Sequence, residues 1–403
     1  MKKTTFIHFP LVLLFLALCF VSGKSSYALE KQSSLNNVLS AATEPEILQT
    51  GLQNSSMYDV TNWSTSGRQI LLNGKPFFAK GMGYQPVPVG EHPNNAPNGD
   101  YFTANYSYLY QPDIDKMQAM GVNAIKIYSW YPDKDHTAFL NYCYSHGIYV
   151  LVGYFMPPGT IIGEFSQKLD LFKKLAQMTS THPAIMGYML GNENVGGDVN
   201  NPQFWNNYNA IASALKQIAP NKLTTTGLVD DGMISVKAGN SYMSSLDVWG
   251  INVFRGKTLG DFYSTYMSAS NKPVWITEIG FPNSVRNNGV PGMMPDNGKD
   301  VAEYVDDVVD EIFENSSDDE PDDPVSGIFY FMFSDEWWKQ ECPACWAPNG
   351  QNCACAASTH DFTGTNYTDN FPGKYWDEEW FGAYTVDRQP RAVVETLRLK
   401  FGK

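Results

Sequence analysis

The stretch Ala184-Ile-Met-Gly-Tyr-Met-Leu-Gly-Asn-Glu193 is an apolar run that ends in a carboxylate. Val274-Trp-Ile-Thr-Glu278 is a second run of the same design. One such glutamate alone reads as a loop or capping residue. Two of them on strands of a single parallel sheet put two carboxylates on one rim. In a parallel barrel the C-terminal rim is where chemistry sits. Paired carboxylates suit cleavage of a glycosidic bond: one protonates the departing oxygen, and the other attacks or assists at the sugar carbon. At a separation of about 5 Å the reaction retains configuration through a covalent glycosyl intermediate. The acid must keep its proton near neutral pH, which burial and a neighbouring negative charge promote.

Those roles require both runs to belong to one barrel. Asn73-Gly74, between apolar runs, predicts a hairpin where order begins near Gly67. From there strands are expected over residues 77–83, 124–128, 148–152, 185–190, 223–228 and 248–253, at Val274, and over 327–333. Helices are expected over residues 113–120, 137–146, 165–179, 202–219, 262–269, 300–313 and 391–400, with a short one before Val248. Eight strands, each followed by a helical segment, predict an α/β fold: a (β/α)8 TIM barrel over residues 61–403, as a single catalytic domain. Glu193 then ends the fourth strand and Glu278 the seventh.

The chain has 403 residues, 43% of them hydrophobic and 14% aromatic, enough for one large barrel. Its net charge of −14 argues against nucleic acid, whose phosphates need a basic footprint. Lys2 and Lys3, the apolar run from Phe6 to Val21, and Ser26-Tyr27-Ala28 fit a cleaved signal peptide over residues 1–28. Residues 29–60 are polar and read as an arm or linker. An exported protein favours oxidised cysteines, so Cys342, Cys345, Cys353 and Cys355 are disulfide candidates in a long excursion after strand eight, with zinc as the alternative. Cys143 is expected to be a buried thiol. The acidic loop over residues 315–323 lacks the spacing of a calcium site, and neither a metal nor a cofactor is expected.

Four stretches carry a family resemblance: Lys80-Gly-Met-Gly-Tyr-Gln-Pro86, Ala124-Ile-Lys-Ile-Tyr128, the run from Gly187 to Glu193, and Glu278-Ile-Gly280. Through them the chain resembles glycoside hydrolase clan A. Within that clan it looks closest to the family 72 β-1,3-glucanosyltransferases and bacterial β-glucanase relatives, over residues 67–400. The resemblance implies that Glu193 is the acid/base and Glu278 the nucleophile. It implies that Asn192 bonds the sugar 2-hydroxyl, and that Tyr84, Gln85 and Tyr128 line the donor site. Three positions depart from the family pattern. Lys126 stands where an arginine often orients the nucleophile, and Phe254, after Asn252, stands where a tyrosine usually bonds it. Phe333 stands where a tryptophan or tyrosine forms the base of the subsite at the cleaved bond. Tyr154 and Trp337 are candidates to supply the missing polar handles, and Trp337 and Trp338 to stack on sugar rings.

The expected function is thus an exported retaining β-glycoside hydrolase or transglycosylase acting on a polysaccharide such as β-1,3-glucan. It would be secreted, periplasmic or at the cell surface, and monomeric. It would have no nucleic-acid partner, and no membrane contact after leader cleavage. The alternatives are a β-mannanase or β-1,4-glucanase of the same clan, or an inactive polysaccharide-binding barrel.

Overall fold

The computed structural model describes residues 60–88, 100–154, 156–337 and 367–402. The expected leader, nearly all of the expected polar arm, Trp338 and the four clustered cysteines lie outside the described residues.

The described chain opens with three short antiparallel strands, β1 (Trp63–Ser66), β2 (Gln69–Leu72) and β3 (Lys75–Pro76). The expected turn at Asn73-Gly74 joins β2 to β3, with φ of 52° and 78°. Both residues are left-handed, the conformation an Asn-Gly hairpin turn supplies at least cost. Ordered structure starts earlier than Gly67, because β1 pairs with β2 along its whole length.

A parallel sheet follows, built from β4 (Ala79–Tyr84), β5 (Ala124–Ile127), β6 (Tyr149–Gly153), β7 (Ile185–Met189), β8 (Leu223–Thr225), β9 (Leu228–Val229), β10 (Trp249–Asn252) and β11 (Val274–Ile279). After a two-stranded excursion, β12 (Ser284–Asn287) with β13 (Val290–Met293), the sheet is completed by β14 (Val325–Tyr330). The order is β8-β7-β6-β5-β4-β14-β11-β10-β9. The first and last members of that order are neighbours in sequence. β8 pairs with β7, β9 pairs with β10, and Thr225 also bridges to Val248. The two ends of the sheet therefore meet in one segment, and the strongly curled sheet is TIM-barrel-like.

Helices link the strands: α1 (Ser107–Ala119), α2 (Thr137–Ser145), α3 (Thr160–Gly163), α4 (Phe165–Thr179), α5 (Pro202–Ile218), α6 (Ile234–Gly239), α7 (Phe262–Ala269), α8 (Pro295–Phe313) and α9 (Ala392–Phe401). α1 begins before its expected start and runs through Pro112. Burial of Tyr110 against Phe139, and of Asp113 against Arg388, holds that turn despite the cost of a helical proline. α8 opens with left-handed residues at 296–298, so its regular part starts close to the expected residue 300.

Strand alternation divides the core. Ala124, Leu151, Met186, Leu223, Trp275 and Phe329 form one buried cluster inside the curl, joined by Trp63 and Ile70 of the opening hairpin. The hairpin bonds to segments that precede strands: Trp63 N–H to Asn221 O at 2.9 Å, and Arg68 Nη2 to Ser270 O at 2.7 Å. It thus covers the N-terminal end of the sheet. The other end carries the two glutamates. Cys143 is a buried free thiol, as expected, with its pKa pushed well up by burial.

Candidate active site

β5 and β11 together build the surroundings of Glu278. In β5 the alternation that places Ala124 in the inner cluster places Lys126 above it, while Ile125 and Ile127 pack outward. The Lys126 ammonium donates to Glu278 Oε1 at 2.7 Å, Asn192 Oδ1 at 3.0 Å and the Thr277 carbonyl at 3.3 Å. An ammonium has three protons, and three acceptors surround this one. Lys126 is fully buried and Glu278 nearly so, which makes theirs a desolvated pair. Removing one member of such a pair leaves an uncompensated charge. Two residues beyond Lys126, Tyr128 donates its hydroxyl to Glu278 Oε1 at 3.1 Å. Burial, then the charges of Glu278 and Glu336, push the Tyr128 phenol well above its ordinary pKa. It therefore stays a donor to the carboxylate.

A β-bulge re-aims the end of β11. Ile251 of β10 pairs with Ile276, but the next residue, Asn252, pairs with Glu278. The extra residue lets Thr277 and Glu278 both address the site. The Thr277 hydroxyl donates to Asn252 Oδ1 at 2.7 Å, which orients that amide so that its NH2 points at acceptors. Asn252 Nδ2 donates to Glu193 Oε1 at 2.8 Å and to Asn192 Oδ1 at 3.2 Å.

Glu193 follows β7 through a tight turn. Gly191 (φ 81°) and Glu193 (φ 51°) are both left-handed, and for Glu193 this costs about 1–2 kcal/mol. The conformation is held by the Glu193 N–H, which donates to Gly227 O at 2.6 Å, and by Asn252. Glycine suits position 227, since a Cβ there would lie 2.9 Å from Asn192 Oδ1. Glu193 itself is exposed. The burial expected to keep the acid protonated is thus not supplied by the chain alone.

The structure joins Glu193, Glu278, Asn192, Lys126, Tyr128 and Asn252 through direct hydrogen bonds, and Tyr84 and Tyr154 make other contacts. Tyr84 is an outward residue of β4, fully buried, with its hydroxyl on Asp113 Oδ2 at 3.1 Å. Strand alternation explains this, because Gly81 and Gly83 hold the inner positions. Gln85 is buried at the strand end. Tyr154 is half-buried, 6.0 Å from the Tyr131 ring and 5.9 Å beneath Lys168 Nζ. Trp337 is buried with Val87, Tyr101 and Val386. Phe333 packs on Tyr84 and Tyr384. The aromatic side chain next to Tyr128 is instead Phe331, at 6.4 Å.

Thr277 and Glu336 were not anticipated. Thr277 had a signal in its place directly before Glu278. Glu336 is buried just past β14, on a segment fixed by a bidentate ion pair between Arg391 and Asp335, both bonds 2.6 Å. Among the described residues no group of acidic, histidine or cysteine side chains is arranged to hold a metal ion.

The family model described as Glucanosyltransferase matches residues 54–221. Over that stretch the chain is similar to the family 72 glucanosyltransferases. The match includes Lys126, Tyr128, Asn192 and Glu193, and stops before Glu278. Similarity extends to the 1,3-beta-glucanosyltransferase GAS2 of Saccharomyces cerevisiae, 27% identical over 202 residues, 48% of this chain and 31% of that protein. A 1,3-beta-glucanosyltransferase of Arthroderma benhamiae is 23% identical over 255 residues, 57% of this chain and 44% of the relative. The chain thus spans less than half the length of these curated glucanosyltransferase relatives. Among solved structures, a GH2 beta-galacturonidase from Eisenbergiella tayi bound to galacturonate superposes with a TM-score of 0.57 at 17% identity, over 85% of this chain and 54% of that one. A beta-D-glucuronidase from Dictyoglomus thermophilum gives a TM-score of 0.57 at 15% identity, with the same coverage. These last two likenesses concern the fold alone.

Proposed function

We propose that the chain is a retaining β-glycoside transglycosylase or hydrolase that acts on β-1,3-glucan by double displacement, on a complete (β/α)8 barrel. The observation that carries this reading is the network joining the two glutamates. Lys126 and Tyr128 hold Glu278, Asn252 holds Glu193, and Asn192 bonds both Lys126 and Asn252. The names of the glucanosyltransferase relatives supply the sugar and the linkage.

Glu278 acts as nucleophile. Its carboxylate attacks the anomeric carbon as the glycosidic bond breaks, and Glu193 gives its proton to the departing oxygen. The ammonium of Lys126 and the phenol of Tyr128 fix the attacking oxygen through their hydrogen bonds to Oε1. Asn192 has its Oδ1 engaged by Lys126 and Asn252, so its NH2 faces the substrate as a donor for the sugar 2-hydroxyl. A sugar bound over Glu193 removes it from water, and that desolvation favours the protonated acid. In the second half, Glu193 takes a proton from water or a sugar hydroxyl, which attacks the glycosyl ester and frees Glu278. Transfer rather than hydrolysis follows when a second glucan excludes water from that position.

The leader-like N-terminus supports export, and among the described residues no helix is long and apolar enough to cross a membrane. We read the protein as an exported monomer working outside the cytoplasm. Product analysis on a laminari-oligosaccharide series tests the assignment. Products longer than the substrate are expected. No reaction there, with turnover of mannan or cellulose oligomers, would move the protein to another substrate within the clan. No turnover on any glycan would leave a binding barrel.

A further inference from the structure

We propose that Phe254, Trp376, Tyr375 and Tyr367 form an aromatic track that seats successive sugar units of a β-glucan chain beyond the unit at the cleaved bond. This rests on the glycosidase reading and names the part of the site that recognises chain length. The track begins at the nucleophile. Tyr128, bonded to Glu278, lies 6.4 Å from Phe331, and Phe331 lies 6.1 Å from Phe254. Phe254 meets Trp376 edge-on at 5.2 Å. Tyr375, the next residue back along the chain, lies 5.7 Å from Tyr367.

Burial separates the track from its support. Phe331, Phe371 and Phe381 are buried and form the base. Phe254, Tyr375 and Trp376 keep part of their surface in solvent, and Tyr367 is 60% exposed. Rings that are partly packed and partly wet offer apolar surface to the C–H faces of sugars. Polar groups lie beside them for hydroxyls. Asp369 accepts from the Tyr367 hydroxyl at 2.7 Å, and the Arg286 guanidinium sits 4.0 Å over Tyr375. Charges of both signs flank the rings, which suits a neutral glucan.

The track is also rigidly mounted. Asp377 is fully buried and accepts from Ser284 Oγ and from Arg286 Nη2, the latter at 2.7 Å. Ser284 and Arg286 belong to β12, which begins five residues past the end of β11, the strand that carries Glu278. Gly373 lies so close to Ser284 O that a Cβ there would meet it at 2.0 Å. The platform is therefore fastened to the chain segment that follows Glu278.

The test compares wild type with Trp376→Ala and Trp376→Phe on laminari-oligosaccharides of increasing length. In the wild type kcat/KM should rise with length. In Trp376→Ala the ratio of kcat/KM for a long to a short oligosaccharide should fall about tenfold, and Trp376→Phe should restore most of it. An unchanged ratio would overturn the proposal, as would an equal loss on long and short substrates. Binding separates this from the glycosidase reading. With Glu278→Gln in the background, Trp376→Ala should weaken laminari-oligosaccharide binding about tenfold by calorimetry. That loss would uphold the track even if the wild type proved inactive, and its absence would sink the track even if the wild type were active.

Discussion

The Lys126 ammonium sits 2.7 Å from Glu278 Oε1, buried, with its other protons on Asn192 Oδ1 and the Thr277 carbonyl. One cation thus connects the proposed nucleophile to the residue proposed to read the sugar 2-hydroxyl. Lys126→Met should lower kcat/KM by about 10²–10³-fold, in the range seen when one preorganised donor is removed. Lys126→Arg should recover part of that loss, limited by the wider guanidinium in a site shaped for three single bonds. Steady-state kinetics on a chromogenic β-glucoside reads both. Equal activity in wild type and Lys126→Met would remove lysine from the mechanism.

Tyr128 donates to the same carboxylate oxygen, and burial and the nearby carboxylates hold its phenol well above its ordinary pKa. Tyr128→Phe should cut kcat about 10–100-fold, as the loss of a charge-assisted hydrogen bond worth about 1.5–3 kcal/mol implies. The alkaline limb of the pH–rate profile should be unchanged, because Tyr128 does not titrate in that range. A limb that vanished in the phenylalanine variant would mean that this phenol ionises during turnover.

If Glu193 is the acid/base, its removal should affect substrates according to their leaving groups. Glu193→Ala should nearly abolish turnover of a glucan. An aryl glycoside with a good leaving group should retain the first step, and added azide should speed the second and yield a β-glycosyl azide. Asn252→Ala, which frees the Glu193 carboxylate from its 2.8 Å bond, should give a smaller loss of the same kind. A glycosyl azide of the opposite configuration would contradict the retaining scheme.

At the other end of the sheet, Lys222 is buried, with its amine 2.9 Å from Thr61 Oγ1 and 3.3 Å from His182 O. Burial pushes its pKa down to about 7 from an ordinary 10.5. Between those values the unfolded chain holds one more proton than the folded one, so this group makes stability rise with pH above about 7. Lys222→Met should lack that rise. The Tm difference, wild type minus variant, should therefore grow by several degrees from pH 6.5 to pH 9. A difference that stays constant across the range would show that the amine is protonated throughout.

Much of this was legible in the sequence because the sheet is buried on both faces. Apolar runs bounded by glycine located nearly every strand, and α4 and α7 fell where their periodicity put them. Residues 223–228 read as one strand, since only the pairing shows the break at Thr226-Gly227 between β8 and β9. The hairpin of β12 and β13 was missed. Its sequence, with Pro291 and Gly292, has the composition of a loop. Side-chain direction was the weaker part of the reading. Tyr84 was expected at the donor site, but alternation turns it outward to Asp113. Phe333 was expected beside the cleaved bond; its ring packs on Tyr84 and Tyr384, and Phe331 is a ring that meets Tyr128. The polar neighbours of Glu278 depend on a bulge between β10 and β11, and nothing in Val274-Trp-Ile-Thr-Glu278 announces an extra residue.

Trapping the intermediate tests the double displacement most directly. A 2-deoxy-2-fluoro-β-glucosyl fluoride slows both steps and lets the glycosyl-enzyme accumulate. Mass spectrometry of the digested protein should find one sugar, ester-linked to Glu278, and none in Glu278→Gln. Turnover with no adduct, or an adduct on Glu193 or Glu336, would contradict the assignment of Glu278 as nucleophile.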